Sequence, residues 1–462
     1  MQSVLLHVEA SVHRTHDDAV PQRGAAHLQR RHQVRIHSGH RAAPGTIAHF
    51  LTIVRLNKNR AECNSRLTGK GNVMDTTLNA EQQAFREVAE RFSREKLAPH
   101  YQKRAKQDRI DPAMLKEMGD LGLIGVDIPE AYGGLGESSA TAGVIIEQIA
   151  YGDFNASYVQ LLASLMGGMI AQHASPGISQ QWLPRVVKGE AIIGLGLTEP
   201  RGGSDAANLI LRAEKSGRGY RLKGEKTSMS FSDQCDAAVI FARTGNEGAR
   251  GVSAFFVDLN QPGITRTHFD DIGTRPVGRG SVFFDDVFVP AECLMAEENK
   301  GFSKIMAGFD YSRALIGLEC IGPAQASVDE AWQYSTGRIA FERPIAQYQG
   351  VSFPLAEAET QLTMMRQLCF YTLSLRDRGL PHTAEAAMCK WYVPKVTCEI
   401  IHQCLLTHGH YGYTTDLPFH QRYVDVMGLQ IGDGTAQIQK LVIAREKVGR
   451  VAVQYAKQPE RK

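Results

Sequence analysis

The amino-acid sequence predicts a mainly α-helical protein in which one β domain separates two helical domains. Three observations support this prediction. Apolar residues recur at helical spacing as far as about residue 190, short alternating runs fill residues 191–300, and long helical patterns return from residue 301. The middle part is typical of an antiparallel β-barrel or sandwich, and the last part of a four-helix bundle. A chain of 462 residues is long enough for three such domains.

The first 73 residues differ from the rest in composition. They carry eleven Lys/Arg and four Asp/Glu, a net charge of +7, which leaves −4 for residues 74–462. A basic segment can bind nucleic acid or act as a transit peptide, but this one has no sustained amphipathic period, secretory apolar region or cleavage pattern. Because helix-start signals begin just after Met74, we expect residues 1–73 to be a non-native or disordered extension. We expect no nucleic-acid partner.

Residues 74–190 are expected to form the N-terminal helical domain. Asn79 followed by Gln82 matches the capping box that begins many helices. The turn-rich run at 129–136 ends the first helical series, and a long apolar helix is predicted from Ala140.

Residues 191–300 are expected to form the middle β domain, and residues 301–462 the C-terminal four-helix bundle. Short apolar runs bounded by Gly, Asn and Asp predict the strands, among them GYRLKGEK and GVSAFFVDL. Four helices are predicted in the last domain, at about 302–337, 351–378, 381–410 and 434–456. With helices, strands and helices in this order, ligands are expected to bind between domains.

Composition limits the class of protein. The chain is 43% hydrophobic and 22% charged, which is ordinary for a globular protein, and it has no run of about 18 apolar residues that could span a membrane. Its eight cysteines include no CxxC pair and no Cys/His set at zinc spacing. We therefore expect no metal site, no disulfide framework and a reducing, cytoplasmic location.

Two runs in the middle domain carry polar groups at the ends of predicted strands. Leu197–Asp205 reads LTEPRGGSD, a Gly-rich loop whose backbone N–H groups can approach a phosphate or a flavin, with Thr and Ser as further donors. A simple β-turn with a Ser cap is the alternative for this run. Lys223–Ser230 reads KGEKTSMS and offers hydroxyls at Ser228 and Ser230, and an ordinary strand with surface serines is its alternative.

Four further runs lie in the C-terminal part: FDYSR at Phe309–Arg313, RIAFERPIAQYQ at Arg338–Gln349, THGHYGY at Thr407–Tyr413 and IGDGTAQIQ at Ile431–Gln439. Asp310 and Arg313 could bind a ligand or form an exposed i,i+3 ion pair. His408 and His410 lack a third residue at metal spacing and are expected to be ordinary loop histidines. Asp433 could serve as a general base or as the N-cap of the following helix.

Together these runs resemble the acyl-CoA dehydrogenase family over roughly residues 78–455. The resemblance implies an oxidoreductase that uses FAD to remove two hydrogens from a CoA thioester, with Asp433 as the base. The residues implied to bind FAD are Leu197, Thr198, Gly203, Ser204, Ser228, Ser230, Arg338, Phe341, Gln349, Leu406, Gly409, Thr435 and Gln437. Those implied to bind the substrate are Ser204, Asp310, Arg313 and Gly434. It further implies electron transfer to an electron-transfer flavoprotein and a homo-oligomer, for which we expect a tetramer.

Several positions depart from the family pattern. Ser228 replaces a Trp that covers the flavin in relatives, and Ser312 stands where some members carry their catalytic Glu. Leu406 and His410 replace a Gln and a Gly near the expected adenosine end of FAD. Asp433 replaces the usual Glu, which shortens the carboxylate arm by one methylene, about 1.5 Å.

The shorter arm and the missing Trp leave space for a bulky acyl group. We therefore expect an alicyclic acyl-CoA substrate, with either 1,2- or 1,4-dehydrogenation. Two alternatives remain open at this point: an oxygen-using acyl-CoA oxidase or flavin hydroxylase of the same fold, and a non-catalytic FAD-binding scaffold.

Overall fold

The computed structural model describes residues 78–246, 248–306 and 308–452, so the extension predicted at residues 1–73 lies outside the described part. The first helical series consists of α1 (Ala80–Phe92), α2 (Tyr101–Arg104), α3 (Pro112–Asp120), α4 (Ser139–Gly152), α5 (Phe154–His173) and α6 (Pro176–Val187). The predicted capping box is confirmed: the Asn79 side chain accepts from the Gln82 backbone N–H, and the Gln82 side chain accepts from the Asn79 N–H.

The long apolar helix predicted from Ala140 is two helices, α4 and α5. Asp153 separates them, and its carboxylate accepts from the backbone N–H groups of Asn155 and Ala156, so it caps α5. Nearly all of α5 is buried, because helices of both helical domains and the middle domain pack around it. Because α5 contacts both of the other domains, it is placed to line a site between domains.

The middle domain is one eight-stranded sheet. Its strands are β1 (Ile193–Gly196), β2 (Arg212–Ser216), β3 (Gly219–Met229), β4 (Ala237–Arg243), β5 (Val252–Asp258), β6 (Ile264–Arg266), β7 (Gly280–Pro290) and β8 (Leu294–Met295). The order is β6-β7-β3-β2-β4-β5-β8, with β1 parallel to β4. Pairing is otherwise mainly antiparallel, as predicted. The short strands β2, β6 and β8 were not predicted, since they are too brief for a clear alternation.

Helices return in the C-terminal domain: α7 (Gly301–Ile305), α8 (Gly308–Gly337), α9 (Gln349–Asp377), α10 (Thr383–Thr407), α11 (Phe419–Met427) and α12 (Ala436–Val448). A small hairpin, β9 (Ile339–Ala340) with β10 (Arg343–Pro344), follows α8. The three longest helices, α8, α9 and α10, pack on one another, and α8 and α9 also pack on α4.

Three helix predictions in this domain are corrected. The helix predicted at 302–337 is interrupted between residues 305 and 308. The helix predicted at 434–456 begins only at Ala436, because Thr435 is its N-cap, and its α-helical part ends at Val448, before Gly449 with φ 72°. The helix α11 was not predicted at all, since its nine residues are too short a run to show a clear helical period.

One buried carboxylate of the C-terminal domain, that of Asp425, accepts hydrogen bonds from both of the other domains. Asp425 on α11 accepts hydrogen bonds from the Tyr101 hydroxyl at 2.5 Å, the Asn155 amide at 3.2 Å and the backbone N–H of Thr274 at 2.5 Å. Tyr101 and Asn155 belong to the N-terminal helices, and Thr274 to the loop before β7. The three domains therefore meet at a defined point, close in sequence to the run that carries Asp433.

Two further properties follow from the described residues. No helix in these ranges combines the length and apolar character needed to cross a bilayer. All seven cysteines in the described ranges are free thiols, and six of them are buried. These cysteines act as small core side chains.

Candidate active site

Asp433 lies in a tight turn, and its carboxylate accepts no hydrogen bond from any described residue. Its backbone adopts the left-handed conformation, with φ 53°, and Gly434 follows with φ 93°. Asp tolerates this conformation better than most side chains, although it stores some strain. The cap of α12 is Thr435, whose hydroxyl accepts from the Ile438 N–H at 3.5 Å. The alternative that Asp433 is the helix cap is therefore wrong.

A buried lysine donates hydrogen bonds to backbone carbonyls on both sides of Asp433. Lys390 on α10 is 1% exposed, and its ammonium donates to the carbonyl of Leu429 at 2.6 Å and to that of Gly434 at 3.2 Å. Burial lowers the pKa of Lys390 to about 8, while the neighbouring Asp433 opposes the shift. The lysine thus remains mainly protonated near neutral pH and links both ends of the Asp433 turn to α10.

Three cations surround Asp433. Burial raises the pKa of Asp433 above its usual range, and Lys390, Arg313 and Arg279 each pull the pKa back down. A raised pKa brings the carboxylate closer to the basicity that proton abstraction near neutral pH needs. The cations stabilise the ionised form of Asp433. The carboxylate accepts no side-chain hydrogen bond from any described residue, so its oxygens are available to a ligand.

The FDYSR run lies at the start of α8. Arg313 donates to Asp310 at 2.7 Å, and Asp310 also accepts from the Thr383 hydroxyl at 2.6 Å. The side chains of this pair are only 10% and 16% exposed, so the alternative of an exposed ion pair is wrong. The Nε of Arg313 is buried without a partner among the described residues, which leaves a donor for a ligand. Ser312 is buried and donates to the Phe309 carbonyl.

Sequence patterns missed four residues of this neighbourhood: Arg279, Tyr158, Glu319 and Lys390. Arg279, just before β7, donates to the Tyr158 hydroxyl at 2.8 Å and so joins the middle domain to α5. Glu319 on α8 is fully buried, and burial raises its pKa to about 8, with Asp433 adding to the rise. Lys390 is the fourth. For Glu319 and Lys390 the usable signal was a single charged residue inside an apolar run, as in ALIGLECIG and AAMCKWYV.

The Gly-rich run after β1 is anchored by a buried ion pair. Glu199 lies 2.7 Å from the Lys226 ammonium, and its carboxylate also accepts from the backbone N–H groups of Ile210 and Leu211. Lys226 is 0% exposed, and burial lowers its pKa to about 8 while Glu199 opposes the shift. The carboxylate therefore fixes the first half of the loop. The residues after it, including Gly203 and Ser204, are exposed, and Leu197 and Thr198 are half-buried.

The end of β3 presents two free hydroxyls. Ser228 has φ 53° at a register shift between Lys226 and Met229, so it occupies a β-bulge that turns its side chain outward. It is exposed, and Ser230 is half-buried. Neither hydroxyl has a hydrogen-bond partner within the described ranges. Both remain available for a ligand beside the Gly-rich run, since the Thr227 N–H donates to the Thr198 carbonyl at 2.9 Å.

The other predicted cofactor residues lie on the outer surface of the C-terminal domain. Arg338, Gln349, Leu406, Gly409 and Gln437 are exposed, and Phe341 is 89% exposed at the tip of the β9–β10 hairpin. No hydrogen bond or ring contact between described residues joins them to the neighbourhood of Asp433. They do not complete a site within one chain.

The hairpin tip is strained. Phe341 and Glu342 both have positive φ, 50° and 66°, in a two-residue connection that normally favours Gly or Asn. The Phe341 ring packs only against the edge of Tyr348, with ring centres 6.4 Å apart. An aromatic side chain held outward at a strained tip is typical of a contact with a partner.

Two histidines of the THGHYGY run have different environments. His408 is buried, donates to the Cys404 carbonyl at 2.8 Å and stacks on Tyr334 at 4.3 Å between ring centres. His410 is exposed. No group of three metal-ligating side chains was found in the described residues.

A surface groove of about 350 Å³ lies beside the Gly-rich run, lined in part by Glu199, Arg212, Arg221 and Lys223. It contains none of the residues around Asp433. The groove therefore lies on the outer side of the sheet. The candidate site for proton transfer is the set of residues around Asp433, at the junction of the three domains.

The junction combines a half-buried carboxylate, three neighbouring cations and a polar pair on α8. Such a set can remove a proton from a ligand and stabilise the negative charge that develops. The fold thus places a group of residues suited to acid–base chemistry at the junction of a helical, a β and a second helical domain.

Comparisons with known proteins identify the family. Models of the acyl-CoA dehydrogenase N-terminal, middle and C-terminal domains match residues 79–190, 194–287 and 299–448. The chain is 32% identical to the mitochondrial short-chain specific acyl-CoA dehydrogenase of Rattus norvegicus over 365 residues, covering 78% of this chain and 89% of the relative. It is 33% identical to the caffeyl-CoA reductase-Etf complex subunit CarC of Acetobacterium woodii over 334 residues, covering 72% and 88%.

Among solved structures, the chain is similar to butyryl-CoA dehydrogenase from Megasphaera elsdenii, with a TM-score of 0.78, 29% identity, and coverage of 81% of this chain and 100% of that chain. The chain belongs to the acyl-CoA dehydrogenase family. Membership confirms the predicted fold class, the prediction of an oxidoreductase acting on CH–CH groups, and FAD as the cofactor.

Proposed function

We propose that this protein oxidises an alicyclic acyl-CoA thioester, with Asp433 as the base that removes a proton from the acyl group. The observation that carries the proposal is the free carboxylate of Asp433. It sits in a strained turn, does not cap α12, and lies among three cations at the junction of the domains. A carboxylate that the fold does not use is expected to be kept for a ligand.

Proton removal next to a thioester is difficult, because the α-proton is weakly acidic. Burial raises the pKa of Asp433 and strengthens it as a base, while the nearby Arg and Lys side chains limit the rise. The Arg313–Asp310 pair, with its buried unpartnered Nε, offers a donor toward the thioester end of the substrate. These side chains bind and orient the substrate and take up its proton.

FAD, when bound, supplies the acceptor for the hydride from the substrate. The residues present fit such a cofactor: Ser228 and Ser230 have free hydroxyls, and the exposed glycines of the Gly-rich run allow close approach by phosphate groups. Thr435 accepts a bond from Ile438 and keeps its own proton to donate. We assign FAD contacts to these residues, together with Leu197, Thr198, Gly203, Ser204 and Gln437.

Arg338, Phe341, Gln349, Leu406 and Gly409 are assigned to the FAD of a neighbouring subunit, in a homo-oligomer for which we propose a tetramer. Their exposure in a single chain supports this assignment, because the side chains are accessible to a second subunit. Electron-transfer flavoprotein is the proposed electron acceptor, and the relative named as a subunit of an Etf complex supports it.

The alicyclic substrate is supported by two positions where space is left open. Ser228 places a small, exposed side chain at the bulge beside the proposed flavin site. Asp433 reaches about 1.5 Å less far than a Glu would. A bulkier acyl group fills that space better than a linear chain, and either 1,2- or 1,4-dehydrogenation is compatible with it.

Neither alternative has a specific observation in its favour. A non-catalytic scaffold would use Asp433 as a helix cap, whereas Thr435 takes that place. An oxidase or hydroxylase would share the same residues and differ in reaction with oxygen, so it is treated as an outcome of the experiment.

The test is anaerobic titration of the FAD-loaded protein with linear, branched and alicyclic CoA esters, followed by the absorbance of the flavin. We expect cyclohexanecarboxyl-CoA or cyclohex-1-ene-1-carboxyl-CoA to bleach the flavin fastest, and we expect the reduced protein to react slowly with air. Butyryl- or octanoyl-CoA reacting far faster would overturn the alicyclic substrate. Rapid reoxidation by air would identify an oxidase, and the absence of bleaching by every ester would overturn the dehydrogenase proposal.

A further inference from the structure

Glu319 is a second carboxyl group near Asp433. It lies on α8 seven residues after Ser312, so the two side chains share one face of the helix, with about 10 Å between their positions along the axis. Contacts between side chains link Glu319 to the junction: its Oε1 lies 2.7 Å from Ser157 on α5, and the hydroxyl of the next residue, Tyr158, accepts from Arg279. Glu319 is 0% exposed, whereas Arg313 at the start of α8 is 9% exposed, and Asp433 adds to the rise of the Glu319 pKa.

One of the Glu319 oxygens is bonded, and the other is not. Oε1 lies 2.7 Å from the hydroxyl oxygen of Ser157 on α5. Oε2 is buried and has no hydrogen-bond partner among the described residues. A fully buried carboxyl oxygen without a partner costs about 1–3 kcal/mol, so its retention calls for an occupant that the protein chain itself does not supply.

The hydroxyl of Ser157 indicates where the Glu319 proton lies. The Ser157 oxygen is 2.7 Å from the Phe154 carbonyl and 2.7 Å from Glu319 Oε1, but a hydroxyl has a single proton. The Phe154 carbonyl can only accept. Both contacts are satisfied when Ser157 donates to Phe154 and a protonated Oε1 donates to Ser157. Burial, which raises the pKa of Glu319 to about 8, favours this protonated form.

With its proton on Oε1, Glu319 presents Oε2 as a pure acceptor, so the missing partner must be a donor. Tyr158, the residue after Ser157, offers a donor group. Its hydroxyl oxygen accepts from Arg279, and its hydroxyl proton has no acceptor in the described ranges. Burial is the main cause of the raised pKa of Tyr158, and Glu319 and Asp433 add to the rise. A hydroxyl is the simplest group that both donates and accepts.

We propose that Glu319 is a specificity-determining residue that binds a hydroxyl group on the acyl part of the CoA thioester, at a carbon beyond the reacting pair. This inference rests on the proposed function and narrows its substrate class to hydroxylated acyl-CoA thioesters. The substrate hydroxyl donates to Oε2 of Glu319 and can accept from Tyr158. An unsubstituted ring or chain leaves Oε2 unpaired and binds less tightly.

The test compares matched pairs of CoA esters: cyclohexanecarboxyl-CoA with its 3-hydroxy and 4-hydroxy derivatives, and hexanoyl-CoA with 6-hydroxyhexanoyl-CoA. Calorimetry in the Asp433→Asn background gives the Kd of each ester without turnover. With Glu319 present, we expect at least one hydroxylated ester to bind about tenfold more tightly than its unsubstituted partner, the effect of one buried hydrogen bond.

Two substitutions at Glu319 then separate a specific contact from a structural effect. Glu319→Leu removes the acceptor, and the preference is expected to fall to about one. Glu319→Gln mimics the protonated carboxyl, because its N–H can donate to Ser157 and its oxygen keeps the acceptor, so the preference should survive. Equal affinity of both members of every pair with Glu319 present, or a preference that Glu319→Leu retains, overturns the proposal. So does loss of the preference in Glu319→Gln, because Gln keeps the acceptor oxygen on which the proposal rests.

Failure of this inference is distinguishable from failure of the proposed function. Flavin bleaching of the Asp433-containing protein by any ester of the panel supports the dehydrogenase function whatever the preference is. If no ester bleaches the flavin, the dehydrogenase proposal fails, while the calorimetric ratio still decides whether Glu319 recognises a hydroxyl.

Discussion

The ammonium of Lys390 lies 2.6 Å from the carbonyl oxygen of Leu429, and through this bond α10 holds the turn that carries Asp433. The same ammonium reaches Gly434 on the other side of Asp433 at 3.2 Å. One buried cation thus positions the proposed base and lowers its pKa. Sequence motifs gave no sign of this role, because Lys390 lies outside every run that resembles the family.

Replacement of Lys390 by Met should slow flavin bleaching and change its pH dependence. The Leu429 and Gly434 carbonyls would lose their donor, so we expect a loss of about 1–3 kcal/mol in the free energy of unfolding. A misplaced turn is expected to lower the bleaching rate about tenfold or more.

The pH profile separates this role from a general loss of stability. Asp433 must be ionised to accept a proton, so the rate rises as pH rises through its pKa. Lys390 lowers that pKa, and its removal should move the rising limb to higher pH. Lys395→Met, on the exposed face of the same helix, is the matched control. An unchanged limb in Lys390→Met would contradict an electrostatic role.

Replacement of Lys226 by Met should destabilise the protein and weaken its binding of FAD. Glu199 would remain buried without its ion-pair partner, a change that costs about 3–5 kcal/mol. Because Glu199 also fixes the Gly-rich run through Ile210 and Leu211, the ratio of FAD to protein after gel filtration should fall. Lys223→Met, at an exposed position of the same strand, is the control. Normal stability and FAD content in Lys226→Met would show that the ion pair does not hold the loop.

Replacement of Phe341 by Ser should weaken the oligomer. The side chain is 89% exposed at the tip of the β9–β10 hairpin, so the change removes little packing within one chain. If the tip contacts a neighbouring subunit, light scattering should show a smaller assembly at low protein concentration, together with lower FAD content. Ile272→Ser changes a side chain of the middle domain that is 74% exposed, and it should have neither effect. An unchanged assembly size and FAD content in Phe341→Ser would argue against this contact.

The sequence predicted the order of the domains well, because periodicity reports which faces are buried. The capping box at Asn79 and the long helices α9 and α10 agree with the patterns that predicted them. The prediction failed for short elements, namely β2, β6 and α11, and at the break between α7 and α8, where Gly308 is the only signal in residues 305–308.

The candidate site was predictable only in part. Motifs led to Asp433 and to the Asp310–Arg313 pair, because their residue types lie at family spacing. Glu319 and Lys390 act through contacts between helices that are distant in sequence, and one-dimensional patterns do not report such contacts. Only the structure distinguishes the free carboxylate of Asp433 from the cap at Thr435.

The central claim is that the Asp433 carboxylate removes the proton, and the bleaching rate of Asp433→Asn tests it most directly. Asn accepts the left-handed backbone at this position, so the turn should persist, and retained FAD can be verified by absorbance. Asp416→Asn, the same substitution at an exposed position of the C-terminal domain, is the matched control and should bleach at the unaltered rate. With the best substrate under anaerobic conditions, Asp433→Asn should bleach about 10²–10⁴-fold more slowly than the unaltered protein. Bleaching of Asp433→Asn at the unaltered rate would contradict the account and leave Glu319 as the carboxyl to examine.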